Sequence, residues 1–230
     1  MHVEPDHLVL ACRDLDSGAR WLSERFGVAP VNGGRHAFMG THNRLLQVSS
    51  STHARCYLEL IAIDPDVPAP ARPRWFGLDD PALQARLVDA PELVAWVGRS
   101  PQIDMHRWGL ITIGLQPGTT VTTERAVPGS ATPLRWQIVL RDDGTTLLGG
   151  AVPVLIQWMT GHPCDALPAS PVALRRLAVR GLPARATQVM RLRGVQTEDS
   201  ADAPVLSATF DTPAGEVTLR SAFGQDGSRP

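Results

Sequence analysis

His7 and Glu59 are the two residues of this sequence best suited to chemistry. His7 opens the apolar run Leu8-Val9-Leu10-Ala11-Cys12, and Glu59 lies inside Tyr57-Leu58-Glu59-Leu60-Ile61-Ala62-Ile63. A carboxylate in such a β-forming run is costly to bury unless it is paired, hydrogen-bonded or bound to a cation. Tyr57 and Ile61 share its face of the strand, so that face is read as enclosed, with Glu59 as a metal ligand or a general base of raised pKa. The plainer readings are a strand-start histidine bonded to its neighbours and a glutamate facing solvent. In Thr41-His42-Asn43-Arg44-Leu45-Leu46-Gln47, alternation puts His42 and Arg44 on one face and Asn43 and Leu45 on the other. His42 would complete a set of two histidines and one carboxylate, suited to iron or manganese. Arg44 has the planar fork that grips a substrate anion. Thr41 and Asn43 offer polar contacts to a bound carbonyl, or else turn chemistry after Gly40.

The elements that must carry these residues follow a repeated order. A strand through His7 leads to a helix over about Ser17 to Phe26, capped by Asp14 or Asp16 and stopped at Gly27. Pro30-Val31-Asn32-Gly33-Gly34 reads as a turn cluster, followed by strands over Arg35–Met39, Thr41–Val48 and Tyr57–Ile63. A proline-rich stretch from Pro65 to Pro73 is an extended connector leading to Trp75-Phe76-Gly77-Leu78, a lid or a core anchor. A second unit then repeats strand (Leu93–Val97), weak helix (Gln102–Trp108) and strands near Thr119–Arg125, Leu134–Arg141 and Val154–Met159. Repetition of one order within a chain points to duplication. Beyond His162-Pro163 come a strand or helix over Val172–Val179, a short helix near Pro183–Met190 and a hairpin from Val205 to Leu219. The expected units are 1–66, a connector or lid over 67–90, a second unit over 91–165 and a C-terminal α+β extension over 166–230.

A chain of 230 residues with 43% hydrophobic content can bury a sizeable core. The 22 basic and 23 acidic residues leave no positive field for collecting phosphates, which argues against nucleic acid. No run reaches the roughly 18 apolar residues of a membrane span, and no basic-then-apolar leader is visible. Cys12, Cys56 and Cys164 form no CxxC pair, so reduced thiols and a cytoplasmic setting are expected.

Asp6-His7-Leu8-Val9, Gly40-Thr41-His42-Asn43-Arg44-Leu45-Leu46, Tyr57-Leu58-Glu59-Leu60-Ile61 and Leu155-Ile156-Gln157-Trp158 together resemble the vicinal oxygen chelate superfamily, and more narrowly its glyoxalase-like domain subgroup. The resemblance implies an α+β fold of paired βαβββ modules that curl into a cup. It implies metal ligands from the first and fourth strands of each module: His7 and Glu59 from the first, and Glu92 or Leu93 and Gln157 from the second, with Glu92 one residue off and on the other face of a regular strand. Leu93 cannot bind a metal, and an amide such as Gln157 is a weak ligand. With His42 in reserve, the implied ion is Mn, Fe, Mg or Zn, and Trp75 and Trp158 join Thr41, Asn43 and Arg44 around the substrate.

Two functions of different class follow from that resemblance. One is a divalent-metal-dependent enzyme (lyase, isomerase or dioxygenase) acting on a small substrate with vicinal oxygens, in which Glu59 ligates the metal or moves a proton. The other is a metal-free protein that binds a small molecule in the same cup. A cup face that serves only to form a homodimer is the third reading.

Overall fold

The computed structural model describes residues 1–126, 132–198 and 205–222. The first unit contains β1 (Glu4–Ala11), α1 (Leu15–Phe26), β2 (Val31–His36), β3 (Thr41–Gln47) and β4 (Tyr57–Ile63). The second contains β5 (Glu92–Arg99), α3 (Ile103–Thr112), β6 (Thr119–Arg125), β7 (Leu134–Leu140) and β8 (Val154–Thr160). Between them lie a 3-10 turn at Trp75–Gly77 and the short helix α2 (Pro81–Arg86). The eight strands form one sheet in the order β2-β3-β4-β1-β5-β8-β7-β6. β1 and β5 run antiparallel at its centre, and each pairs in parallel with the last strand of its own unit, β4 or β8. This is the paired βαβββ arrangement: the same four-strand half appears twice about the β1–β5 seam.

Strand alternation divides the sheet into two faces. Leu8, Leu10, Leu58, Leu60, Leu93 and Trp96 belong to one buried core with α1, while Val9, Ala11, Ile61, Ala95, Val97 and Trp136 belong to the other. The second core fills the concave side. Trp75, Phe76 and Leu78 of the connector are buried in it, so their aromatic and aliphatic surface occupies part of the cup.

Asp14 caps α1, accepting the Ser17 N–H at 2.8 Å, and Gly27 ends it in the left-handed region at φ 69°. The expected turn at Val31–Gly34 is instead the edge strand β2, and the strand expected over Arg35–Met39 stops at His36, where the Met39 N–H closes a turn onto the His36 carbonyl. The glycines serve close approach here. A Cβ on Gly33 would stand 2.1 Å from Asn43 Oδ1, and one on Gly34 would stand 2.2 Å from Arg125 Nη1. Arg125 ends β6, so the two edge strands of the sheet meet as it curls.

The C-terminal residues build a second sheet, β10-β9-β11-β12, from β9 (Ala173–Arg180), β10 (Gln196–Glu198), β11 (Val205–Thr212) and β12 (Gly215–Arg220), with helix α4 (Ala184–Met190) before β10. Leu174, Leu177, Leu206 and Phe210 pack it onto the convex core, where Phe210 meets Phe26 of α1 at 5.2 Å. The buried His53 ties the two layers together, with Nδ1 at 2.9 Å from the Leu174 carbonyl and Nε2 at 2.7 Å from the Gly194 carbonyl. A His53→Ala variant leaves both carbonyls without this partner and is expected to lose about 2 kcal/mol. Urea unfolding measures it; a loss under about 0.5 kcal/mol, the range of ordinary surface changes, would mean that the clip contributes little.

Candidate site in the cup

β1 carries the site because it bulges. Pro5 pairs with Gly98 and His7 with Val97, so Asp6 has no partner of its own across the β1–β5 ladder. An extra residue of this kind lets two consecutive side chains work on one side of a strand. Asp6 Oδ1 stands 2.7 Å from His7 Nδ1, and His7 Nε2 stands 3.5 Å from Glu59 Oε2. Asn43 Nδ2 donates to Glu59 Oε1 at 2.5 Å, and the Gly34 N–H donates to Asn43 Oδ1 at 2.7 Å. The other oxygen of Asp6 accepts from Trp158 Nε1 at 2.9 Å, from His162 Nε2 at 3.1 Å and from Arg99 Nη1 at 3.4 Å. Tyr57 stacks on the His7 ring at a centroid distance of 4.5 Å. Asp6, His7, Asn43, Glu59 and His162 are all buried. The result is one polar chain that begins on β2, crosses β3, β4 and β1, and ends on β5 and β8.

Its charges sit where each supports the next. Burial alone would raise the Asp6 carboxyl, but hydrogen bonds from His162 and His7 hold it well below the usual carboxylate range. Burial alone would lower His7; the Asp6 and Glu59 carboxylates outweigh it and push the imidazole up to about 9. Glu59 is held below its ordinary value: the His7 hydrogen bond and charge, His36 and the Asn43 amide overcome its burial. A Glu59 with a raised pKa, expected as a general base, is therefore not what the site contains. For His36, on the same side of the sheet, burial outweighs the pull of the Glu59 carboxylate, helped by the charges of Arg125 and His7, and takes it down to about 4.

The other expected residues divide between the two faces. Thr41 Oγ1 is 3.3 Å from His36 Nδ1 and buried. Trp75 packs edge-on against His36 at 4.9 Å, and its indole N–H is buried without a partner among the described residues. Trp158 is a donor to Asp6 and packs against Trp136 at 5.4 Å. Three expectations are corrected. Gln157 points away from His7 and Glu59, its Oε1 accepting the Ile103 N–H at the start of α3 at 2.9 Å. It alternates with Ile156 and Trp158, which take the concave side. His42 faces outward beside Arg35, Arg44 and Ile63, across the strand from Asn43, so it cannot join Glu59. Arg44 also faces outward and pairs with Asp16 at 2.5 Å instead of gripping a ligand in the cup.

The donor set decides how well a divalent ion fits. His7 Nε2 and Glu59 Oε2 converge and are the two donor atoms this unit can offer an ion, with His7 Nδ1 held by Asp6 and Glu59 Oε1 by Asn43. The second unit presents Ala95, Val97, Val154 and Ile156 to the cup. Among the described residues no third histidine, cysteine or carboxylate completes a metal-binding group. Zinc needs at least three protein ligands, and the harder ions need several oxygens. These residues do not fit a resident metal.

A cavity of about 540 Å³ opens beside the chain, lined by Val31, Gly33, Leu45, Leu134 and His162, with Arg125 at its edge. Gly33 lies against Asn43 and His162 donates to Asp6, so both ends of the polar chain reach the cavity wall. Neither Asp6 nor Arg125 is marked as a site residue by a signal in the sequence. Asp6 is next to the obvious histidine and would face the other way in a regular strand, and Arg125 is one terminal residue of an unremarkable strand.

A family model described as a glyoxalase-like domain matches residues 6–193. No curated protein matches the chain. Among solved structures, a hypothetical protein from Staphylococcus aureus is similar at 12% identity and a TM-score of 0.51, over 96% of this chain and 86% of that one. A Streptomyces coelicolor methylmalonyl-CoA epimerase variant in complex with 2-nitronate-propionyl-CoA is similar at 15% identity and a TM-score of 0.39, over 69% and 97%. The methylmalonyl-CoA epimerase of Mycobacterium tuberculosis is similar at 18% and 0.39, over 72% and 92%.

Proposed function

Because the chain belongs to the glyoxalase-like domain family, we propose that it is a small-molecule-binding protein whose cup works without a resident divalent metal. The observation that carries this reading is the satisfaction of His7 and Glu59 by each other, by Asp6 and by Asn43, opposite apolar residues of the second unit. The cavity beside them is within the range of small-molecule sites, about 300–1,000 Å³. In this reading the buried polar chain holds the cavity wall in shape, and the ligand meets mainly apolar side chains.

A second reading, a metal-dependent lyase, isomerase or dioxygenase, draws on the 3.5 Å approach of His7 Nε2 to Glu59 Oε2. Elemental analysis of protein purified without chelator separates the two. The expected result is metal far below one equivalent, with no rise in thermal midpoint on adding Mn²⁺, Fe²⁺, Mg²⁺ or Zn²⁺; a tight native-state ligand at a hundredfold excess over its Kd would stabilise by about 2.7 kcal/mol. One equivalent of metal, lost in both His7→Ala and Glu59→Ala, would overturn the proposal in favour of the enzyme.

A further inference from the structure

The cavity contains an uneven pair of charges. Among the described residues, two charged side chains of fixed sign line it, Arg125 and Asp165. Asp165 is neutralised on both oxygens by Arg55, at 2.8 Å to Oδ1 and 2.9 Å to Oδ2. Arg125 has no ion-pair or hydrogen-bond partner among the described residues, and its acidic neighbour Glu124 is taken by Arg135 at 3.3 Å. Its guanidinium occupies the space that Gly34 leaves by lacking a Cβ, and its charge reaches inward to His36 and Tyr57. The rest of the lining is largely apolar, including Val31, Leu45, Leu134 and Leu167.

We propose that this cavity binds an organic monocarboxylate, its carboxylate on the Arg125 guanidinium and its apolar body against Val31, Leu45 and Leu134. A planar guanidinium matches a carboxylate through two parallel hydrogen bonds. Among the described residues, one cation without an ion-pair partner in a largely apolar lining suits a single negative charge; a phosphate would leave part of its charge uncompensated. An amphipathic acid satisfies the arginine and the hydrophobic wall together. Arg44, the anion-gripping candidate of the sequence, is on the outer face; Arg125 takes that role from the opposite edge of the sheet.

The inference rests on the small-molecule reading above, and calorimetry with two matched compounds separates them. 1-Naphthaleneacetate carries the charge, and 1-naphthaleneacetamide has the same body without it. Wild-type protein is expected to bind the acid about ten- to a hundredfold more tightly than the amide. Arg125→Gln should reduce the acid to the level of the amide and leave amide binding unchanged, which also shows that the variant is folded. Ala166→Trp, at an exposed lining position, should weaken both compounds by filling the cavity. Equal binding of acid and amide, or an Arg125→Gln variant that still prefers the acid, overturns the carboxylate inference and leaves the small-molecule reading intact. Failure of wild type to bind either compound overturns both.

Discussion

An Asp6→Ala variant is expected to lose about 3–5 kcal/mol of stability, the cost of leaving a buried charge without its partner. Asp6 is fully buried and receives His7, His162, Trp158 and Arg99. Its removal strands the imidazolium of His7 and loosens the indole of Trp158 across the seam between the two units. For a chain of this size that corresponds to a fall in thermal midpoint of about 10 °C. Glu4 supplies the comparison: it also binds Arg99, at 2.6 Å, but its side chain is 40% exposed. Glu4→Ala is therefore expected to cost less than about 1 kcal/mol. Equal losses in the two variants, measured by differential scanning calorimetry, would mean that Asp6 acts only as one more rim carboxylate.

The second large effect is a loss of stability on the alkaline side of neutrality. His7 titrates at about 9 in the folded chain against an ordinary 6.5. Its contribution is fully present below 6.5 and is lost as pH rises toward 9, because the unfolded chain gives up its proton first. The slope is about 1.4 kcal/mol per pH unit, so roughly 2–3 kcal/mol should disappear between pH 6.5 and 8.5. Burial raises the thiols of Cys12, Cys56 and Cys164, so their loss adds only at higher pH. His36 works in the opposite direction. Held at about 4, it stays neutral while the unfolded chain takes up a proton, so stability also falls as pH drops from 6.5 toward 4. The lowered carboxyls of Asp6 and Glu59 contribute stability above the ordinary carboxylate range that is lost as pH falls through their folded values. Denaturant titrations from pH 5 to 8.5 should therefore peak near 6.5. His7→Gln should flatten the alkaline limb; an unchanged limb in that variant would assign the proton to another group.

Much of the fold was legible because its signals are local. The apolar run from Leu8 to Cys12, alternation in Leu134 to Leu140, the Asp14 cap, the Gly27 stop and the repeated strand-helix-strand order each depend on residues close in sequence. The misreading at Val31–Gly34 has a non-local cause. Two adjacent glycines usually mark a turn, but here they lie flat beneath Asn43 and Arg125, residues 10 and 91 positions from Gly33 and Gly34 respectively.

The site separates the two sources of information more sharply. His7 and Glu59 stand out in the sequence because each is a polar residue in an apolar strand, and burying such residues demands partners. Which partners they obtain was decided by the tertiary structure. The bulge at Asp6 turns a neighbour into a ligand of His7, and the β3–β4 register brings Asn43 to Glu59 while sending His42 and Arg44 outward. Strand pairing likewise leaves Ala95 and Val97 facing the cup and sends Gln157 to the start of α3. Sequence alone determines that a carboxylate and a histidine must be compensated inside this sheet. Whether a metal or other side chains compensate them depends on face and register, and one residue of slip along a strand reverses the answer.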